Sequence, residues 1–375
     1  MKKREKIMEY VFLLAAVISI VAVALICIFL FANGIPAMKK IGFVEFLTGT
    51  KWKPGNNKFG IFPMILGSIY VTGGALIIGV PVGVLTSIFM ARFCPEGLYK
   101  LLKPVVNLLA GIPSIVYGFF GLVVLVPFIR EHFKNSNGQS ILCASILLGI
   151  MILPTIIGAS EPTIRAVEQS YYEGALALGA THERSVFTVV VPAAKSGILA
   201  AVILGVGRAL GETMAVMMVV GNQPRVPNSI LQGVRTLTTN IVMEMGYAGE
   251  VQEGALVATG VILLLFVLAV NLLFGAISSR AVRRISSRQP RGKRPARESR
   301  LRGSAARLTR RIRDWFGALG SRIRICRIGQ GVAVFAGVAV AAVLVLIIGF
   351  ILVKGLPYLV RNPSLIWGRF EFGGE

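Results

Sequence analysis

Long stretches without a charged side chain alternate with short polar ones along the whole chain. Uncharged runs fall at about 10–32, 59–91, 105–129, 139–160, 254–277 and 329–353, and a further run at about 197–220 is broken only by Arg208 and Glu212. A helix needs about 20 apolar residues to cross a hydrocarbon core of roughly 30 Å. The pattern therefore predicts an all-α polytopic membrane protein with seven spans. The intervals 33–58, 92–104, 130–138, 161–196 and 221–253 are polar enough to be loops. The N-terminal KKREK leads into a run too long for a cleaved signal, so the first span is expected to stay.

Charge changes this picture less than its size suggests. The 375 residues carry 40 Lys plus Arg against 17 Asp plus Glu, a net charge of +23. Residues 278–328 alone hold 17 Lys or Arg against Glu298 and Asp314, a net +15. The first part of that stretch has no hydrophobic periodicity and reads as a disordered linker. Its second part sets Leu301, Leu308, Ile312, Trp315, Phe316, Leu319 and Ile323 at helical spacing with Arg opposite. That pattern suits a helix lying on anionic membrane lipids and gives no reason to expect nucleic acid. Lys and Arg are nearly balanced between the two sets of loops before 278, so the basic stretch decides orientation. It shares a side with the N-terminus, and both are expected in the cytoplasm.

Several chemistries are not expected. Asp314 is the only aspartate and the two histidines, His132 and His182, lie far apart, so neither a catalytic carboxylate pair nor a metal site is expected. Cys27, Cys94, Cys143 and Cys326 show no paired spacing and read as free thiols. No phosphate-binding loop of the Walker type occurs, so the chain is not expected to bind ATP itself.

Two segments carry candidate function. In 161–196, Glu173, Gly174, Ala175, Gly179, Val189, Val191 and Pro192 keep the spacing of a motif that begins E-A-A, continues to a Gly and ends aliphatic-x-aliphatic-Pro, with Gly174 in place of the first Ala. This resembles the coupling motif of the membrane subunits of bacterial ABC importers. Val167, Tyr171, Ala175 and Leu178 fall at helical spacing; Gly179 can end that helix, and a second short helix is expected to run to Pro192. Such a helix pair could seat in a soluble ATPase and pass its closure to the spans.

The second segment is the interrupted fifth span. A charge at mid-membrane costs about 2.5–3.5 kcal/mol on insertion scales and so faces a cavity or a partner. Glu212 follows Arg208 by four residues and is expected over the same helix face, while Gly207 and Gly211 would let another helix approach closely. Arg208 offers a fixed charge and a planar fork of donors to an oxyanion. Glu212 could accept the proton of hydrogen phosphate, which sulfate lacks. The same two residues could instead be a structural ion pair that closes the bundle.

GRALGETMAV in the fifth span, AGIPSIVYGFFGL in the third and GASEPTIRAVEQSYYEGALALGAT together resemble the first permease of the phosphate-specific ABC importers. The resemblance covers nearly all of residues 8–282. It implies a six-span ABC importer type I permease over 1–282, in the bacterial plasma (inner) membrane. It also implies a second permease, an ATPase dimer that consumes ATP and Mg, and an extracytoplasmic phosphate-binding protein. Leu25, Phe29, Gly34 and Pro36 recur as Leu346, Phe350, Gly355 and Pro357, so 329–375 reads as one additional span resembling the start of a second permease, joined through the 283–328 linker. Rival expectations are a permease for molybdate or sulfate, and a channel or carrier that works without ATP.

Overall fold

The computed structural model describes residues 2–134, 136–286 and parts of 331–353. Of the expected linker and interfacial helix at 283–328, all but the first four residues lie outside the described residues, as does the chain from 354 onward. The described part of the seventh run belongs to an apolar helix, Ala333–Ile347.

Elements follow one another as α1 (Lys2–Ile41), α2 (Phe43–Thr48), the two-residue strands β1 (Trp52–Lys53) and β2 (Lys58–Phe59), α3 (Phe62–Ile88), α4 (Glu96–Gly111), α5 (Ser114–Phe120), α6 (Val126–His132) and α7 (Ile141–Arg165). The order continues with α8 (Gln169–Ala177), α9 (His182–Ser185), α10 (Val191–Ala193), α11 (Lys195–Gly211), α12 (Met214–Val219), α13 (Leu237–Glu244) and α14 (Glu250–Ser286). Wider π turns extend α3 through Phe93, join α5 to α6 and bridge α9 to α10. β1 and β2 pair antiparallel, Trp52 opposite Phe59.

Among the described residues, five helical stretches are long and apolar enough to cross a membrane: Met8–Ile41, Phe62–Phe93, Ser114–His132, Ile141–Arg165 and Glu250–Ala276. A sixth candidate is Lys195–Gly211, which follows His182–Ala193 across a 69° bend. The third span starts later than the uncharged run at 105–129 suggests. Pro113 lacks an N–H and disfavours helical geometry in the residue before it. Ile112 is accordingly extended, with φ −69° and ψ 126°, and the chain ahead of it forms the separate amphipathic α4, which buries Leu102, Val106 and Leu109.

The fold comprises two compact units built from alternating parts of the chain. The first contains Met1–Gly74, Gly121–Leu147 and Leu210–Leu272. Its core joins Met38, Phe46, Trp52, Phe59, Ile61, Met64 and Leu237 to Ala255, Leu256, Ala258 and Val261 of α14. The second contains Ala75–Phe120, Leu148–Ala209 and Leu273–Glu375. There Ile88, Ile164, Val186, Val190, Ala194 and Ile198 form a core around the end of α3 and the segment leading into α11.

Polar contacts within each unit test the topology. In the first unit, Trp52 Nε1 donates to Glu244 Oε2 at 2.7 Å and Ser136 Oγ donates to the Leu231 carbonyl at 3.2 Å, so the loops after the first, third and fifth spans meet. In the second unit, Arg92 Nη2 donates to the Ile164 and Val167 carbonyls and Lys103 Nζ donates to Glu161 Oε2 at 2.6 Å, so the connections after the second and fourth spans meet. Loops share a side of a membrane only when an even number of spans separates them. Were Lys195–Gly211 not a crossing, the 221–253 loop would share the side of 161–196, away from the two loops to which it is bonded. The contacts thus favour six crossings over five.

Candidate coupling loop and translocation residues

The loop after the fourth span folds as a helix, a glycine turn and a second helical stretch. α8 ends at Ala177 because Gly179 takes a left-handed φ of +78°, while Gly179 N–H and Ala180 N–H donate to the carbonyls of Leu176 and Ala175. That closure satisfies carbonyls that the last helical turn leaves without partners, and a glycine adopts it without strain. Thr181 then caps α9, its hydroxyl accepting the Arg184 N–H. Glu173, Gly174, Gly179 and Pro192 are exposed and Ala175, Val189 and Val191 are half-buried. Tyr171 and Leu178, two members of the apolar stripe, are 58% and 91% exposed, which leaves α8 with an open apolar surface.

Beneath that surface the loop is braced. Tyr172 Oη lies 2.7 Å from His182 Nδ1, and His182 Nε2 lies 3.2 Å from the Arg92 carbonyl at the end of the second span. Phe93 meets the His182 ring edge to face, with centroids 4.9 Å apart. A carboxylate cluster lies in the same unit. Glu161, with a side chain only 2% exposed, accepts from Lys103 Nζ at 2.6 Å, from Tyr99 Oη at 3.1 Å and from Arg165 Nε. The Arg165 guanidinium also lies over the Tyr99 ring, 4.0 Å from its centroid, and donates from Nη2 to the Met90 carbonyl at 2.8 Å. One buried carboxylate thus joins α4 to the end of α7, and Arg165 ties both to the end of the second span.

Arg208 belongs to the second unit and is half-buried; its Nη1 donates to Thr155 Oγ1 of α7 at 3.1 Å. Glu212, in the first unit, is not on the face of α11, because that helix stops at Gly211. Residues 212 and 213 form a break before α12, and Glu212 Oε1 accepts the Ala215 N–H at 3.3 Å. The expected i, i+4 relation fails for a local reason: a carboxylate after a glycine caps the next helix instead of prolonging the previous one. Within this chain, Gly205 of α11 makes a close helix contact, while Gly207 and Gly211 are left open. A Cβ on Gly207 or Gly211 would meet nothing within 4 Å, whereas one on Gly205 would approach Ile156 Cγ1 of α7 to 2.9 Å.

On the loop after the fifth span, Arg235 is fully engaged. It donates to Glu244 and Asn240 from Nη1 and to the Asn222 carbonyl from Nε, while Glu244 also accepts from Gln252 Nε2 at 2.8 Å. No local sequence pattern marks this cluster or that of His182. Arg92 and Glu161 sit at the ends of uncharged runs, where a charge is expected merely to mark the membrane boundary, and His182, Arg235 and Glu244 lie within loops. The one available signal was Glu161 with Arg165 at helical spacing.

Five or six apolar helices long enough to cross a membrane among the described residues, a helix–glycine–helix loop and an arginine within an apolar helix are features of a polytopic membrane protein. The chain matches the family of binding-protein-dependent transport system inner membrane components over residues 83–283, and it belongs to that family. It is 41% identical over 271 residues to the probable ABC transporter permease protein YqgH of Bacillus subtilis, covering 71% of this chain and 88% of that one. It is 35% identical over 294 residues to the phosphate transport system permease protein PstC of Mesorhizobium japonicum, covering 73% and 88%. A solved inward-facing form of the MetNI methionine ABC transporter is similar at a TM-score of 0.45 and 21% identity, over 59% of this chain and 94% of that one. The chain is a multi-pass inner-membrane transport component.

Proposed function

We propose that this chain is a permease subunit of an ATP-driven importer that moves inorganic phosphate into the cell by alternating access. The observation that carries the reading is the exposed α8 surface, held over the end of the second span by His182 and bearing the full spacing from Glu173 to Pro192. Relatives named as phosphate permeases support the choice of substrate. A separate ATPase dimer, using ATP and Mg, seats on α8, and its closure reaches the spans through the His182 brace. The N-terminus lies on that same cytoplasmic side. An extracytoplasmic phosphate-binding protein delivers the anion to the opposite side.

Arg208 attracts the oxyanion within the spans, and Glu212, at its own place before α12, accepts a P–OH proton and so disfavours sulfate. Thr155 holds the guanidinium against α7 so that it stays aimed. The open face at Gly207 and Gly211 receives a helix of the second permease. The test is ATP-dependent uptake of radiolabelled phosphate by proteoliposomes holding the chain with its second permease, the ATPase and the binding protein. Uptake that requires all four and is abolished by Arg208→Ala is expected. Wild-type uptake by Arg208→Ala, or uptake without the ATPase, overturns the reading.

A further inference from the structure

The loop after the fifth span carries two arginines, and only one of them is spent on structure. Arg235 is enclosed by Glu244, Asn240 and the Asn222 carbonyl. Arg225 is exposed, its one side-chain hydrogen bond among the described residues being a long 3.4 Å contact from Nε to the Gly233 carbonyl. Arg225 lines a cavity of about 170 Å³ together with Asn137, Gln139, Gln223 and Gln232. Among the described residues, no carboxylate lines that cavity. It is large enough for several water molecules and so for a partly hydrated tetrahedral oxyanion.

The cavity is held in shape by backbone. Gly221, at φ +84°, and Gly233 pack so closely that a Cβ on either would come within about 3 Å of the other's Cα. Val234 N–H donates to the Val220 carbonyl at 3.0 Å. The first amides of α7, which a helix leaves without internal partners, take loop carbonyls: Ile141 N–H donates to Gln232 O at 3.0 Å and Leu142 N–H to Ile230 O at 2.9 Å. Pro224 and Pro227 flank the arginine and restrict its backbone.

The side chains offer a mixed set of partners. Gln232 Oε1 is occupied by the Asn228 N–H at 3.0 Å, which leaves its amide nitrogen as the donor for a guest. Gln139 has the opposite bias: its Nε2 donates to the Met218 carbonyl at 3.1 Å, which leaves Oε1 as an acceptor. One fixed positive charge, amide donors and an amide acceptor suit an oxyanion that still bears a proton.

We infer that this cavity is an outer subsite for a protonated oxyanion, occupied by phosphate before it passes into the spans, with Arg225 as its charged contact. The inference rests on the transport reading above, which places this loop on the delivery side. Weak binding is expected, because a single exposed arginine is screened by solvent and salt.

The experiment uses the assembled permeases and ATPase in lipid nanodiscs, without the binding protein and with Arg208→Gln to remove the charge within the spans. Inorganic phosphate is titrated by 31P NMR line broadening. One weak phosphate site is expected to remain, to lose roughly tenfold or more in affinity with Arg225→Gln, as for removal of a charge-assisted hydrogen bond, and to be partly kept by Arg225→Lys. Docking of the binding protein, followed by surface plasmon resonance, is expected to be unchanged. Absence of any remaining site, or affinity unaffected by Arg225→Gln, overturns the inference. So does loss of docking with phosphate affinity intact, which would make the cavity a seat for an acidic side chain of the binding protein. Should the wild-type complex transport another oxyanion and no phosphate, the functional reading falls separately, and the same Arg225 criterion is applied with the transported anion.

Discussion

Tyr172 and His182 stand on the two arms of the coupling loop, ten residues apart, with hydroxyl and Nδ1 separated by 2.7 Å. The second ring nitrogen faces the Arg92 carbonyl, so one imidazole fixes the angle between the arms and anchors both to the end of the second span. A loop that transmits force must be stiff at that point.

His182→Phe is expected to keep the packing against Phe93 but lose both polar contacts. At about 1 kcal/mol for each net hydrogen bond, losing both weakens coupling by roughly thirtyfold. The check is phosphate uptake per ATP hydrolysed in the reconstituted complex: the ratio should fall while the assembled complex still purifies intact. Tyr172→Phe removes one of the two contacts and should lie between His182→Phe and wild type.

The two glycines of the motif separate by geometry. Gly179 holds φ +78° with open space around it, so Gly179→Ala introduces backbone strain alone, about 1 kcal/mol. Gly174 lies within α8, exposed and with open space where a Cβ would stand, so Gly174→Ala should favour the helix by about 0.5–1 kcal/mol. Thermal unfolding of the detergent-solubilised protein is expected to shift down for the first and not down for the second. The reverse pattern, with Gly174→Ala lowering the unfolding temperature and Gly179→Ala not, would contradict the assigned helix end.

Glu161 is almost fully enclosed, whereas Lys103 and Arg165 are 28% and 42% exposed. Truncation of a buried carboxylate leaves cations without their partner, at a cost of about 3 kcal/mol where those cations keep some access to water. Glu161→Ala should therefore lower thermal stability markedly, and Lys103→Ala far less, because Tyr99 and Arg165 still serve the carboxylate. Equal losses from the two substitutions would contradict this hierarchy.

Glu212→Gln tests selection by proton count. The amide can still accept a P–OH but no longer repels a fully ionised anion. Competition of phosphate uptake by sulfate is expected to strengthen roughly tenfold, in line with one charge-assisted contact. Unaltered competition would assign Glu212 to helix capping alone.

The first six apolar helices and the helix–glycine–helix shape of the 161–196 loop were legible because both are written in local pattern: apolar runs about 20 residues long, and a glycine at a helix end. The displaced start of the third span was also available in principle, since Pro113 lies inside the run. The break at Glu212 was less accessible. A carboxylate four residues after an arginine equally fits a continuous helix, and the choice turns on whether Glu212 caps α12. The braces around Glu161, His182 and Glu244 depend on residues 58 to 192 positions apart in sequence, and no single-sequence periodicity encodes such partners.

The loop carbonyls seated on α7 have a kinetic consequence. A helix start with free amides holds anions well, and a tight trap at the mouth of a transporter would slow every cycle by the time needed to escape from it. With Ile141 and Leu142 already supplied by Gln232 and Ile230, the helix start is withheld from the passing anion and Arg225 is left as a single, solvent-weakened hold. Residence at the mouth is thereby short, and the occupancy of this surface follows the supply of anion instead of storing it.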